Sequence, residues 1–378
     1  MTNHAVRLES AGAAVTVVSA EEAVTAWATR YFGTWWHTAE TDPAGRSGPR
    51  ITARVDPQVY EDSAYLVTRE PYRNTTYAGA PLLLAADVSS GVIRAVSPWA
   101  RIAYRSEPGA GSLEVSGCHT KDIATATARL AREMMRGQLL RDGWAVLHAS
   151  AVVGENGRTV LTLGSKGAGK TTAALALAAR HGLGLLANDR VFVRANVGGG
   201  VDVLPWPSAA ALGLGLLSGL GWTGIVQERL EAGERLHPTQ SNQVTLALLA
   251  GYRKPVWGEE TGAELKAQVW PDQFPSWFGV PLAAEGVAAA LVFPRVEASA
   301  APAVEETSRT VGDGDFMIGR TEDRYPDVFG LLGVDGGGTE GARRSVARLL
   351  AGLPHHAVVL GHDATANADL LAKVIGCA

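Results

Sequence analysis

The chain has 378 residues, 46% hydrophobic and 19% charged, which is enough apolar side chain for a real core and excludes a disordered tail or a disulfide-stapled miniprotein. Its 34 basic and 38 acidic residues leave a formal charge of −4, which offers no global attraction for nucleic acid or an anionic membrane. Cys118 and Cys377 match no metal or redox spacing and read as reduced thiols of a cytoplasmic protein.

Residues 1–27 lack the basic start and unbroken apolar run of a signal peptide. Residues 1–118 read as a small, mainly β N-terminal domain. Strands are expected at 29–36, 51–56, 63–68, 81–88, 91–97 and 100–106, where β-branched and aromatic residues cluster between turn formers. The segments 81–88 and 91–97 read as a hairpin. Trp35 and Trp36 read as core more readily than as a ligand platform. A connecting helix is expected over 119–142, with Thr120 as N-cap and Ile123, Thr127, Leu130 and Met134 at helical spacing.

From residue 143 the pattern becomes strand, helix, strand, which argues for an α/β domain over 143–378. Residues 203–227 carry no charge, but Pro205, Pro207 and repeated glycines interrupt them. They read as a buried strand-and-loop region, not a membrane span. Residues 297–314 have linker composition. Helices at 342–353 and 367–376 are expected to flank a strand at 356–361.

One motif carries chemistry. Gly164, Ser165, Lys166, Gly167, Ala168, Gly169, Lys170 and Thr171 fit G-x-x-x-x-G-K-[ST], with a strand pattern entering and an Ala/Leu helix pattern leaving. Glycines let backbone N–H groups turn inward on phosphate oxygens, and the helix N-terminus favours anions. Lys170 reads as reaching the β- and γ-phosphates of ATP, and the Thr171 hydroxyl as a magnesium ligand. Lys166 reads equally as a phosphate contact or a solvated side chain.

Asp189, beyond the apolar stretch 183–187, lies where an acid faces a bound nucleotide and positions metal or nucleophile; the alternative is a turn or cap. His148, in an apolar strand, reads more readily as a core or edge histidine. Arg253, Lys254 and Arg295 are weaker candidates for the triphosphate. His355, His356 and His362 have no zinc spacing and read as strand-edge residues.

The run LHASAVVGENGRTVLTLGSKGAGKTTAALALAARHGLGLLANDRVFV, within residues 144–194, resembles the catalytic core of HPr kinase/phosphorylase and its relatives, some of which phosphorylate precursor peptides. Looser similarity extends through 279–296 to the closing helix, and the N-terminal domain does not match that of the classical enzyme. The resemblance implies a phosphate-loop fold akin to phosphoenolpyruvate carboxykinase. It also implies transfer of the γ-phosphoryl of ATP, with Mg2+, to a serine hydroxyl of a protein. It puts His148 against the transferred phosphate, Lys170 and Thr171 on phosphate and magnesium, and Asn188 and Asp189 on a pair of aspartates.

Two departures stand out. Asn188 replaces the presumed proton acceptor, and an amide cannot take that proton. Thr172, adjoining the loop and counted with its nucleotide contacts, replaces an acid. Reversal by inorganic phosphate is therefore not expected. Kinase activity survives in this reading, because phosphoryl transfer depends more on positioning and charge neutralisation than on deprotonation. Asp189 or neutral His148 then takes the proton.

The expected function is an ATP- and Mg-dependent kinase acting on a Ser/Thr hydroxyl of a peptide or protein. The N-terminal domain is assigned acceptor recognition, and the family's hexamers allow a homo-oligomer. A small-molecule hydroxyl kinase and an ATP-binding regulatory module without transfer are the alternatives.

Overall fold

The computed structural model describes residues 3–45, 48–259, 262–318 and 325–376. The chain is mixed α/β and divides into two compact units. The first comprises Met1–Ala145 and Met317–Thr339, and the second Val146–Phe316 and Glu340–Ala378.

The first unit holds β1 (His4–Ser10), β2 (Ala13–Ser19), α1 (Glu22–Phe32), β3 (His37–Glu40), β4 (Arg50–Val55), α2 (Pro57–Arg69), β5 (Arg73–Tyr77), β6 (Ala80–Ala86), β7 (Ile93–Ser97), β8 (Ile102–Glu107), β9 (Ser112–Gly117) and α3 (Thr120–Arg141). Its sheet runs β3-β1-β2-β4-β9-β8-β7-β6-β5, parallel at β2–β4 and β4–β9 and antiparallel elsewhere. The expected hairpin is present as the β6–β7 pair.

Two expected strands are helices. Over 22–32, buried Val24, Thr25, Ala28, Tyr31 and Phe32 repeat at helical spacing, so the aromatic density of 29–36 marks a helix face and the turn after it. Trp36 stacks on Phe32 with ring centroids 4.9 Å apart, and both Trp35 and Trp36 are core. Over 57–69 the decisive signal is Asp56-Pro57. The Asp56 carboxylate accepts from the N–H groups of Gln58 and Val59 at 3.0 and 3.1 Å, and Pro57 occupies the first turn. Helix α3 begins at Thr120, so Thr120 is its first helical residue and not its N-cap; His119 flanks it without a side-chain cap.

The α3 residues Arg132, Glu133 and Arg136 are buried. Arg136 donates to Glu133 at 2.8 Å and to the Gly336 carbonyl at 2.8 Å, so a returning segment satisfies charges that the helix carries inward. Helix α3 packs on α1, β2, β4 and β9, within the first unit. Cys118 is a free thiol, half-buried, and Cys377 lies outside the described residues.

The second unit contains β10 (Ala145–Leu147), β11 (Ala149–Val153), β12 (Arg158–Leu163), α4 (Lys170–His181), β13 (Gly184–Ala187), β14 (Val191–Ala195) and β15 (Val201–Pro205). An inserted segment comes next: β16 (Ala210–Leu212), α5 (Leu214–Gly219), α6 (Thr223–Glu231), α7 (Asn242–Leu249), β17 (Val256–Trp257), β18 (Glu264–Leu265), β19 (Ala267–Val269) and α8 (Gln273–Phe278). The chain closes with β20 (Gly286–Val296), β21 (Ala303–Glu305), α9 (Glu340–Leu350), β22 (His355–Leu360) and α10 (Ala364–Ile375).

The main sheet has the order β10-β14-β15-β20-β12-β11-β13, with β22 also on β20 and β21 on β22. Strand β20 is its hub, parallel to β12 and β22 and antiparallel to β15. Helix α4, buried from Ala173 to Ala178, shares one apolar cluster with α10 and the inserted segment. The uncharged run 203–227 folds as strand ends plus the short helices α5 and α6, more helical than expected. Among the described residues no helix is long and apolar enough to cross a membrane.

Strand β22 is tied to α10 through Asn367, which is 1% exposed. Its amide accepts from the Gly361 N–H and donates to the Gly361 carbonyl, both at 2.9 Å. Replacing Asn367 with Ala strands two buried backbone groups at about 1–3 kcal/mol each. Urea denaturation should show a loss of about 2–6 kcal/mol for the two together, and a change within about 0.5 kcal/mol would contradict it.

Candidate functional site

The site grows from the end of β12, whose residues Thr159–Leu163 are all buried. The chain leaves the sheet at Gly164 and enters α4 at Lys170. Gly167 and Gly169 sit at φ +87° and +99°, the left-handed region where a Cβ is strained. A Cβ on Gly169 would stand 2.6 Å from Val296 Cγ2, and one on Gly164 would stand 2.8 Å from the Cβ of Ala168. The fixed glycines of the motif are therefore demanded by close packing as well as by the turn. Gly167 occupies a free position of the motif, yet its backbone also needs glycine.

Lys170 is half-buried and bends back over this turn. Its Nζ donates to the carbonyls of Gly164 and Ser165 at 2.8 and 3.2 Å. Burial holds its pKa below the ordinary lysine value of 10.5. Asp189 opposes that shift, the Arg309 guanidinium reinforces it, and Asp315 opposes it more weakly. Ser165, Lys166 and Gly167 are exposed, while Ala168, Gly169, Thr171 and Thr172 are partly covered.

The Asn188 carbonyl is the knot beside the loop. It accepts the Ser150 hydroxyl at 2.6 Å and the Thr171 hydroxyl at 3.2 Å, tying β11 and the first turn of α4 to the end of β13. The Asn188 side chain is buried, and its Oδ1 accepts from the Ser208 hydroxyl at 3.4 Å. Asp189 comes immediately after it, exposed, with Oδ2 3.3 Å from Arg190 Nη1.

His148 lies between β10 and β11, and its backbone N–H donates to the Asp315 carbonyl at 2.8 Å. Asp315 and Arg309 are the residues that sequence reading missed. Arg309 belongs to the stretch 297–314 that reads as linker and Asp315 follows it directly, yet the segment returns to the loop: β21 pairs with β22, and a helical turn covers Asp313–Asp315. Arg309 Nη2 donates to Asp315 Oδ1 at 2.5 Å, and its guanidinium lies 4.6 Å from the centroid of Phe293. Nothing in composition or spacing marks these two residues, because a sheet ladder far along the chain delivers them.

Arg295 is directed elsewhere. Its neighbours Pro294 and Val296 face the loop glycines, so strand alternation turns Arg295 to the other side, where Glu297 and Glu305 pair with it. Arg253 and Lys254 are exposed between α7 and β17, and none of the contacts above involves them. His355 Nε2 lies 3.1 Å from the Leu350 carbonyl and its ring meets Phe293 edge-on. Burial, with His355 nearby, pushes the His356 pKa below the usual histidine value. Among the described residues no three His, Cys, Asp or Glu side chains group to hold a metal ion.

The donors present fit a polyphosphate. A glycine turn, the first turn of a twelve-residue helix, Lys170 and Arg309 face the same place. Thr171 and Asp189 supply the hard oxygen donors that suit magnesium. No protein-family model matches the chain, and no curated protein matches it.

Because burial depresses the Lys170 pKa, the folded chain holds that proton less firmly than the unfolded chain does. Between the depressed value and 10.5 the unfolded state binds more protons, so stability attributable to Lys170 rises with pH across that window. Urea denaturation of wild type and Lys170→Met from neutral pH upward should show wild type gaining on the variant as pH approaches 10.5. A constant difference would contradict the buried, cationic placement.

Proposed function

We propose that this chain is an ATP-dependent phosphotransferase on an HPr kinase-like phosphate-loop core, acting on a Ser/Thr hydroxyl of a peptide or protein. The observation that carries the reading is the strand–glycine turn–helix unit with Lys170 folded over its carbonyls and Asp189 beyond the adjoining strand. In this reading the turn and the first turn of α4 hold the β- and γ-phosphates of ATP, and Lys170 neutralises the charge shared between them. Thr171 and Asp189 hold magnesium, which when bound neutralises phosphate charge.

The acceptor hydroxyl must lose its proton as the O–P bond forms. Asn188 cannot take it: its amide is no base, and its Oδ1 is engaged by Ser208. The exposed carboxylate of Asp189 is the first candidate base and His148 the second. Deprotonation of this kind contributes about 10²–10⁴-fold, so replacing one aspartate of the family pattern with Asn188 slows transfer without abolishing it. The first unit is assigned recognition of the acceptor.

The buried Asn188 also favours a second reading, a module that binds ATP and transfers nothing. Incubation of the full chain with γ-labelled ATP, magnesium and a desalted cell extract separates the two, with Lys170→Ala as blank. Label should enter a peptide or protein with wild type, should be absent with Lys170→Ala, and should fall about 10²–10⁴-fold with Asp189→Asn. Label only in low-mass material after small metabolites are restored would replace the peptide acceptor with a metabolite. Binding of ATP with no label in either fraction would overturn the kinase reading.

A further inference from the structure

Arg309 is 39% exposed and paired with Asp315, and it stands beside the phosphate-loop turn. Its Nη1 is 4.0 Å from where a Cβ on Gly164 would lie. Lys170 Nζ bonds the carbonyl of that same Gly164 at 2.8 Å, so two cations converge on one end of the turn. The first turn of α4 adds the positive end of a helix dipole. Asp315 answers Arg309 through Nη2, while Nη1 is the nitrogen on the Gly164 side, where an anion would meet both cations.

The arginine is also held in position. Asp315, with a side chain only 14% exposed, accepts from Arg309 Nη2 at 2.5 Å and from the Gly312 N–H at 3.1 Å. The Phe293 ring lies under the guanidinium, 4.6 Å from its central carbon. The Arg309 N–H donates to the Thr307 hydroxyl at 3.0 Å, shaping the loop that carries it. A guanidinium gripped through one nitrogen and a flat face keeps further N–H donors in its fork for a phosphate.

We infer that Arg309 contacts the outermost phosphate of the bound nucleoside triphosphate, and that Asp315 is the positioning residue that aims it. The inference rests on the phosphate-loop reading above and extends it to a residue outside the motif. The helix end of the turn takes the inner phosphates. Arg309 stands at the Gly164 end, beside the lysine that spans the two terminal phosphates. A triphosphate therefore engages Arg309 and a diphosphate does not, which makes Arg309 a reader of phosphate number.

Equilibrium titrations of the full chain with ATP, ADP and inorganic tripolyphosphate, all with magnesium, test this directly. Arg309→Ala should weaken ATP and tripolyphosphate about 10–100-fold, the value of one or two charge-assisted hydrogen bonds, and leave ADP unchanged. Arg309→Lys should recover part of the loss, which also excludes misfolding as its cause. Asp315→Asn should cause a smaller loss of the same selectivity, and the double variant with Arg309→Ala should be no weaker than Arg309→Ala alone. A purely structural Asp315 would instead weaken ATP and ADP together, with additive effects.

Wild-type affinity for ATP in Arg309→Ala, or equal losses of ATP and ADP, would overturn the assignment while Lys170→Ala still shows a working phosphate loop. Absence of nucleotide binding in wild type, or identical binding by wild type and Lys170→Ala, would overturn the phosphate-loop reading and this inference together.

Discussion

The candidate site depends on one pairing, the parallel ladder between β12 and β20. Parallel strands end on the same edge of a sheet, and ligands of open α/β sheets bind outside those carboxyl ends. Here β12 opens into the glycine turn, while the last residues of β20, Pro294 and Val296, press against Gly164 and Gly169. The chain leaving β20 therefore emerges beside the turn, and the short β21–β22 pair folds it back far enough to deliver Arg309 and Asp315. Had β20 run antiparallel to β12, its carboxyl end would lie on the other edge and the arginine with it.

The second constraint is the buried carbonyl of Asn188. Two hydroxyls from separate elements donate to it, fixing β11, the first turn of α4 and the end of β13 in one arrangement. A carbonyl has two lone pairs, so both hydroxyls are accommodated without leaving a buried group unpaired. The side chain of Asn188 serves packing and Ser208. An ionised carboxylate buried there would need more than one hydroxyl partner, which gives a physical reason for an amide at this position. The acid that meets solvent is its neighbour Asp189.

The strand, glycine turn and helix over 158–181 were legible in the sequence because the turn's glycines, lysine and threonine are local and each has a backbone or charge reason to be there. The strand at 51–56, the 81–97 hairpin and the closing helices were legible for the same reason: periodicity and turn formers report directly on neighbours in the chain. The stretches 29–36 and 63–68 were misread as strands, where aromatic and β-branched density outweighed the helical spacing of 22–32 and 57–69, and in the second case an Asp-Pro cap. Arg309 and Asp315 were illegible for a different reason. No local pattern distinguishes a solvated arginine in an Ala/Pro/Glu-rich stretch from one that a distant sheet register carries onto a glycine turn. The burial of Arg132, Glu133 and Arg136 on α3 was hidden likewise, since these three pair with one another and Arg136 also bonds Gly336 in the segment that returns after residue 316.

Amide hydrogen exchange of the full chain, with and without Mg-ATP, tests the assembled site most directly, because it reads the turn and the returning segment in one experiment. Protection should appear together in residues 164–172, in 188–190 and in 307–316, and should vanish for all three in Lys170→Ala. Protection absent from the glycine turn, or confined to the first unit, would contradict the assignment of this turn as the place where the nucleotide is held.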